Sequence, residues 1–224
     1  YNSLGKHYSE YFDLDSLVNM YILLELSGNR DAGVSSTYFY KDAGGKLVAS
    51  PVWDNDLSFG NLDVYTTTGT FLADPTVWIA GLANYNTAFS ALTNNEYPTV
   101  YNRLFHRAEF RELVRERWAE LRETVLTKET VLGIVNELAD TVRASAIMNG
   151  GRWTQIFTEK GYASALATAT HYISERLACL EARHQIPWYL KGVAHANYYK
   201  EQIVRMNTME DVYRVTAGIK RDLT

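Results

Sequence analysis

Residues 29–60 read NRDAGVSSTYFYKDAGGKLVASPVWDNDLSFG, and the predicted fold is built around this stretch. Two short runs rich in aromatic and β-branched residues, 37–41 and 46–53, flank a turn that contains two glycines. That pattern is typical of a β-hairpin. Because a hairpin brings its outer ends side by side, Asp31 before the first strand and Asp54 after the second are predicted to lie close together.

Asp31, Asp54 and Asp56 are three carboxylates that such a hairpin would gather. Unperturbed aspartates titrate near pH ~3.9, so at neutral pH they are charged and repel one another unless a cation or a proton lies between them. A hard divalent cation with oxygen ligands fits, and Mg²⁺ is the usual choice beside phosphates. The plainer interpretation is that Asp31 and Asp42 cap turns and that Asp54 begins a loop, as aspartates often do.

The spacing of these residues resembles the CotH (spore coat protein H) kinases, a family of atypical protein kinases. The resembling motifs are Asn29-x-Asp31, a tyrosine-rich strand, a glycine turn and Pro51-x-Trp53-Asp54-x-Asp56-x-x-x-Gly60. Residues 149–153 (NGGRW) and 173–177 (ISERL) also resemble family landmarks, so the likeness extends over roughly residues 10–190.

The resemblance implies a role for each candidate site residue. Asp31 matches the catalytic aspartate that orients the acceptor hydroxyl, with Asn29 fixing its loop, and Asp54 matches the metal-binding aspartate, with Asp56 beside it. Ser36 stands five positions after Asp31, where ordinary kinases carry a metal-binding asparagine. A serine hydroxyl can ligate Mg²⁺ in phosphate-binding loops, so Ser36 is predicted to help bind the cofactor, although the change weakens the case for a second metal. The implied cofactor is Mg²⁺ or Mn²⁺, with ATP as co-substrate.

The composition is that of an ordinary folded chain. The 224 residues are 46% hydrophobic and 21% charged, enough for one compact domain or at most two. The net charge of −4 argues against a nucleic-acid partner, and no apolar run approaches the ~20 residues of a membrane span. Cys179 is the only cysteine, so no internal disulfide can form, and its place on the apolar side of a helical pattern favours a buried, inert thiol.

Most of the remaining chain is predicted to be helical. A buried helix begins at Asp13 or Asp15 and ends at Gly28, and a long helix covers residues 99–126 with a solvated, ion-paired outer face. A further helix follows the cap Thr127 and stops at residues 149–151. Its apolar side chains are expected to face inward: Val131, Ile134, Val135, Leu138 and Val142.

The last helices and the connecting segments complete the prediction. Another helix lies near residues 162–184, and the tail carries two amphipathic pieces. Residues 61–100 lack a sustained period, which indicates a packing insertion or, alternatively, a segment that docks the substrate. Residues 1–190 are therefore expected to form a CotH-kinase-like helical lobe, and residues 191–224 a helical extension of the same domain.

The predicted fold class is α+β, mainly α: a protein-kinase-like C-terminal lobe whose small β-hairpin carries the site. A kinase also needs a glycine-rich loop, a strand lysine and usually a helix glutamate to clamp the nucleotide. No such elements precede Asp15, so the N-terminal lobe is expected to be absent from this chain, which by itself would bind ATP poorly.

The favoured function is ATP- and Mg²⁺-dependent phosphoryl transfer to Ser or Thr hydroxyls of a protein substrate, with this chain as the metal-binding and catalytic lobe and inactive without its N-terminal lobe. One alternative is a phosphatase of the haloacid dehalogenase type, which also uses an Asp-x-Asp motif but needs further parallel strands. The other is a non-catalytic pseudokinase or a structural coat or cell-surface scaffold, which Ser36 and the absent lobe favour. The resemblance suggests a bacterial spore coat, or a secreted or cell-surface location.

Overall fold

A computed structural model of the chain describes residues 3–29, 33, 35–61, 75–76, 99–153, 159–189, 198–199, 202–203 and 209–223. These residues fall into two compact units. The first lies within residues 1–58 and 99–120, and the second within residues 59–61, 75–76 and 121–223. Each unit is described by itself below.

The described elements are mainly helical, with one small antiparallel sheet. They are a 3₁₀ turn Tyr8–Glu10, α1 Leu14–Ser27, β1 Phe39–Tyr40, β2 Val48–Ala49, α2 Val100–Phe105, α3 Ala108–Glu123, α4 Lys128–Arg152, α5 Glu159–Tyr189 and α6 Met209–Leu223. The predicted class, α+β and mainly α, is confirmed. None of the described helices is long and apolar enough to cross a lipid bilayer.

Helix α1 begins and ends where the sequence predicts. The Asp13 carboxylate accepts a hydrogen bond from the Ser16 amide at 2.8 Å and so caps one of the N–H groups that a helix start leaves without a partner. Gly28 ends the helix in the left-handed conformation, with φ of 63°. The helix is buried on most sides, and Leu17 and Tyr21 are among its fully covered side chains.

The predicted hairpin is present, with shorter strands than expected. Phe39 pairs with Ala49 and Tyr40 with Val48 in antiparallel register, and the turn between them closes through the Gly45 amide and the Asp42 carbonyl at 3.0 Å. The second strand ends before Pro51, because proline has no N–H to give to the ladder. The hairpin is tied to α1, since the Ala49 amide donates to the Ser16 hydroxyl at 3.1 Å.

The core of the first unit is aromatic. The ring of Tyr21 on α1 lies 6.0 Å from Phe105 on α2 and 5.6 Å from Phe110 on α3, measured between ring centroids. The predicted helix over residues 99–126 is wrong in one respect, because it is broken into α2 and α3. At the break, the Arg111 guanidinium donates to the Phe105 carbonyl at 2.8 Å and so satisfies a carbonyl at the C-terminal end of α2. The outer face of α3 carries ion pairs, as predicted, such as Arg117 with Glu120.

In the second unit, α4 packs against α5. The Tyr162 hydroxyl of α5 donates to the Ala139 carbonyl of α4 at 2.5 Å, and the predicted apolar face of α5 is buried at Ile173, Leu177 and Leu180. Helix α4 begins after Thr127, whose hydroxyl accepts the Thr130 amide at 3.1 Å. The thiol of Cys179 is buried, as expected.

The prediction that the apolar stripe of α4 faces inward is wrong for three residues. Ile134, Leu138 and Val142 are 52%, 61% and 48% exposed. Ala139, one position further round the helix, is buried instead. The covered side of α4 lies to one side of this stripe, so the sequence period identifies the apolar residues without identifying the side that packs.

Candidate functional site

The end of α1 delivers Asn29 as a fixed, buried residue. The Gly28 amide bonds back to the Glu25 carbonyl at 3.2 Å, and the Asn29 amide bonds to the Leu24 carbonyl at 3.1 Å. These two bonds satisfy carbonyls at the C-terminal end of α1 and fix the direction in which the chain leaves the helix. Asn29 is 3% exposed, so a rigid helix positions its side chain in the first unit.

Asn29 reaches the loop that follows the hairpin. Its side-chain N–H donates to the side-chain oxygen of Asn55 at 2.7 Å, and the Ser58 hydroxyl donates to the same oxygen at 3.3 Å. Residues far apart in sequence are thereby joined directly beside Asp54. Neither Asn55 nor Ser58 is among the site residues predicted from the sequence. Asn55 could have been noticed in the sequence because it lies between Asp54 and Asp56 and the motif gives it no role.

Ser36 and Asp54, both predicted site residues, are in contact. The Ser36 hydroxyl donates to a carboxylate oxygen of Asp54 at 3.2 Å, across the open end of the hairpin. Both residues have left-handed backbone, with φ of 48° and 58°. L-residues rarely adopt that conformation, and it costs of order 1–3 kcal/mol where it occurs. The Asp54 side chain is exposed, so its carboxylate is open to a ligand from solution.

Asp56 is near this pair in sequence and differs from it in its contacts. One of its carboxylate oxygens accepts the amide of Leu57, the next residue, at 2.9 Å. That bond is typical of an aspartate that shapes its own loop. Asp56 is exposed and stays a predicted metal ligand.

Asp31 lies outside the described residues, so its predicted closeness to Asp54 stays a prediction. The described residues around it are anchored. Before it stands Asn29, and after it the Gly33 amide donates to the Thr37 hydroxyl at 3.0 Å, while that hydroxyl donates to the Ser35 carbonyl at 2.9 Å. Gly33 has φ of 74°, and a Cβ there would lie 2.8 Å from the Cβ of Thr99. The loop therefore has fixed attachment points on both sides of Asp31.

Two aromatic rings border the Ser36–Asp54 pair. Tyr38 and Trp53 meet edge to face with ring centroids 5.8 Å apart, and they are 50% and 56% exposed. Two exposed rings in contact form a small apolar patch, and it is contiguous patches rather than single exposed residues that mark binding surfaces. Sequence reasoning noted the aromatic runs as strand formers and missed this surface. The signal in the sequence was an aromatic residue within two positions of each of these site residues, Tyr38 after Ser36 and Trp53 before Asp54.

The oxygen donors at this end of the hairpin suit a hard cation. A carboxylate and a hydroxyl are ligands that Mg²⁺ or Mn²⁺ takes, whereas zinc sites use histidine and cysteine. Over the described part of the chain, which excludes Asp31, no group of three or more His, Cys, Asp or Glu side chains is close enough to hold a metal.

A sequence description of the CotH kinase protein family matches residues 2–180. The chain belongs to the CotH kinase family. Membership indicates a kinase-like function in general terms, with ATP and a divalent cation as the general class of ligands. No curated protein and no solved structure matches this CotH family chain.

Proposed function

We propose that this CotH family chain carries the metal-binding and catalytic centre of an ATP-dependent kinase that phosphorylates Ser or Thr hydroxyls of proteins. The observation that carries the proposal is the contact between the Ser36 hydroxyl and the Asp54 carboxylate at 3.2 Å, at the open end of the hairpin. Asp31 is the proposed base for the acceptor hydroxyl, and Asn29, buried at the end of α1, holds its loop.

The proposed roles follow from what each side chain can do. Asp54 would hold Mg²⁺ or Mn²⁺ with Ser36 beside it, and Asp56 would add negative charge at the same loop. The cation, when bound, offsets the charge of the phosphate oxygens. Asp31 would accept the proton of the attacking hydroxyl, because an ionised carboxylate within hydrogen-bond reach orients that hydroxyl toward phosphorus.

The exposed rings of Tyr38 and Trp53 are the proposed support for the nucleotide base. Aromatic faces bind bases by stacking, worth about 1–3 kcal/mol for each base. The two rings flank the hairpin end that carries Asp54, so base and phosphates would lie on one side of the first unit. This places ATP across the hairpin end rather than in a closed cavity, and a further part of the polypeptide is needed to cover it.

The test of the metal role is the variant Asp54→Ala, assayed for transfer of labelled γ-phosphate by the full polypeptide. We expect at least a 100-fold loss of transfer and of Mn²⁺–ATP binding by calorimetry, with little change in melting temperature because the side chain is exposed. Asp42→Ala is the matched control, since Asp42 is an exposed aspartate in the turn at the other end of the hairpin. Equal activity of the two variants would remove Asp54 from the mechanism.

The test of the base support is Trp53→Leu. Loss of one stacking contact of about 1–3 kcal/mol predicts a rise of roughly 5- to 150-fold in the dissociation constant of ATP, with metal binding in the absence of nucleotide unchanged. Trp153→Leu is the control, because Trp153 is a similarly exposed indole on the second unit, stacked with Arg152. An unchanged ATP affinity in Trp53→Leu would place the base elsewhere.

A non-catalytic scaffold is the second candidate, and one observation favours it: Ser36 stands at the position where kinases place a metal-binding asparagine. A scaffold of this kind keeps the hairpin and binds no Mn²⁺–ATP in the titration above. The phosphatase alternative receives no support from the described elements, whose strands form a two-stranded antiparallel ladder rather than a parallel sheet.

A further inference from the structure

We propose that Asn55 is a positioning residue, which locks the loop carrying Asp54 to the end of α1 and so fixes the metal-binding carboxylate. This inference rests on the proposed metal role of Asp54. Asn55 itself stands between two aspartates, and the function proposed above assigns it no part.

The first step is the saturation of the Asn55 side-chain oxygen. This oxygen accepts a hydrogen bond from the side-chain amide of Asn29 at 2.7 Å and another from the Ser58 hydroxyl at 3.3 Å. An amide oxygen has two lone pairs, so these two donors occupy its acceptor capacity. Asn29 and Ser58 are 3% and 2% exposed, and buried donors are costly to leave without acceptors. The Asn55 side chain is therefore held in one orientation from two sides.

The second step is the backbone of the neighbouring residue. Asp54 has φ of 58°, a conformation that disfavours any residue with a Cβ. Such a conformation persists only where the surroundings over-determine it. The anchored Asn55 follows Asp54 directly, and Ser36 contacts its carboxylate on the other side. Removing the anchor lets Asp54 relax toward ordinary extended backbone, which would carry its carboxylate away from Ser36.

The third step is the sensitivity of a cation site to displacement. Ligands must be held within about 0.5 Å of the productive geometry, and supporting hydrogen bonds hold them there. Asn55 is uncharged, so replacing it by alanine leaves every charge at the site unchanged. A loss of metal affinity in that variant therefore reports position rather than electrostatics.

The experiment measures Mn²⁺ binding by calorimetry on the full polypeptide, with a non-hydrolysable ATP analogue present. We expect Asn55→Ala to weaken Mn²⁺ binding at least 10-fold. Asn55→Asp keeps the acceptor oxygen for Asn29 and Ser58 and adds a negative charge beside Asp54, so it should bind Mn²⁺ at least as tightly as the wild type. A residue with a purely structural role would lower stability in both variants without this difference in metal affinity.

A second variant keeps the test decisive if Asn55→Ala does not fold. Asn55→Gln retains an amide but moves its oxygen by one methylene, and we expect the same loss of affinity. Wild-type affinity in either Asn55→Ala or Asn55→Gln overturns the positioning role. Wild-type affinity in Asp54→Ala overturns instead the metal role on which the inference rests, so the two failures are distinguishable.

Discussion

Replacing Gly33 by alanine tests the attachment of the loop that carries Asp31. Gly33 has φ of 74°, and an added Cβ would meet three side-chain atoms of Thr99, the nearest at 2.8 Å. That atom is the Cβ of Thr99, which no rotamer change can move. Thr99 also caps α2, since its hydroxyl accepts the Asn102 amide at 3.1 Å, so the backbone must shift to accept the methyl group.

The expected cost has two parts. A left-handed backbone costs a residue with a Cβ roughly 1–2 kcal/mol. Forcing an additional methyl group into a closely packed contact costs about 1–3 kcal/mol. Gly33→Ala should therefore lower the free energy of unfolding by about 2–5 kcal/mol. For a chain of this size each 1 kcal/mol corresponds to roughly 2–4 °C in melting temperature.

Gly44→Ala separates the two parts. Gly44 has φ of 73°, almost the same conformation, and nothing lies within 4 Å of its added Cβ. This variant should show the backbone cost alone, about 1–2 kcal/mol. Urea unfolding of both variants gives the difference, and phosphate transfer should fall further in Gly33→Ala because the Asp31 loop moves. Equal destabilisation by the two substitutions would refute the close contact with Thr99.

Three further predictions follow from described contacts. The His7 ring hydrogen-bonds to Glu109 at 2.8 Å and thereby lowers the pKa of that carboxyl. The stability that this contact contributes is therefore present above the unfolded pKa of about 4.3 and is lost as pH falls through the lower folded pKa. The urea midpoint of Glu109→Gln should approach that of the wild type below the folded pKa, and a difference between the two midpoints that persists in acid would contradict this. Thr127→Ala removes the cap of α4 and should cost about 1 kcal/mol by urea unfolding, whereas Thr141→Ala, inside the same helix, should cost nothing. The thiol of Cys179 is buried, so an aromatic disulfide reagent should label it only in denaturant, and rapid labelling of the native chain would show that it is accessible.

The hairpin and the first helix illustrate what could be predicted from the residues. Asp13 at the start and Gly28 at the end of α1 act through bonds to neighbours within four residues, so their meaning is local. The glycine turn and the flanking β-formers are local in the same way. The break between α2 and α3 was missed because it depends on a side chain, Arg111, that serves the end of the preceding helix.

In the candidate site, too, some residues could be predicted from local sequence and others could not. Asp54 and Ser36 could be proposed from motif spacing, because a hairpin fixes which ends meet. Asn55 could not, since its importance lies in contacts with Asn29, 26 positions earlier, and with the buried Ser58. The predicted pairing of Asp31 with Asp54 stays a prediction, as do the boundaries of residues 1–190 and 191–224.

Residue patterns were enough to indicate the family, the mainly helical class and the hairpin, because caps, turns and periodic patterns act over a few residues. The tertiary structure alone decided which apolar side of α4 is covered, and that Asn29 and Asn55 share one hydrogen bond beside Asp54. The physical reason is that burial and long-range hydrogen bonds depend on which surfaces meet. A one-dimensional pattern specifies what each surface could contact, and packing selects among those contacts.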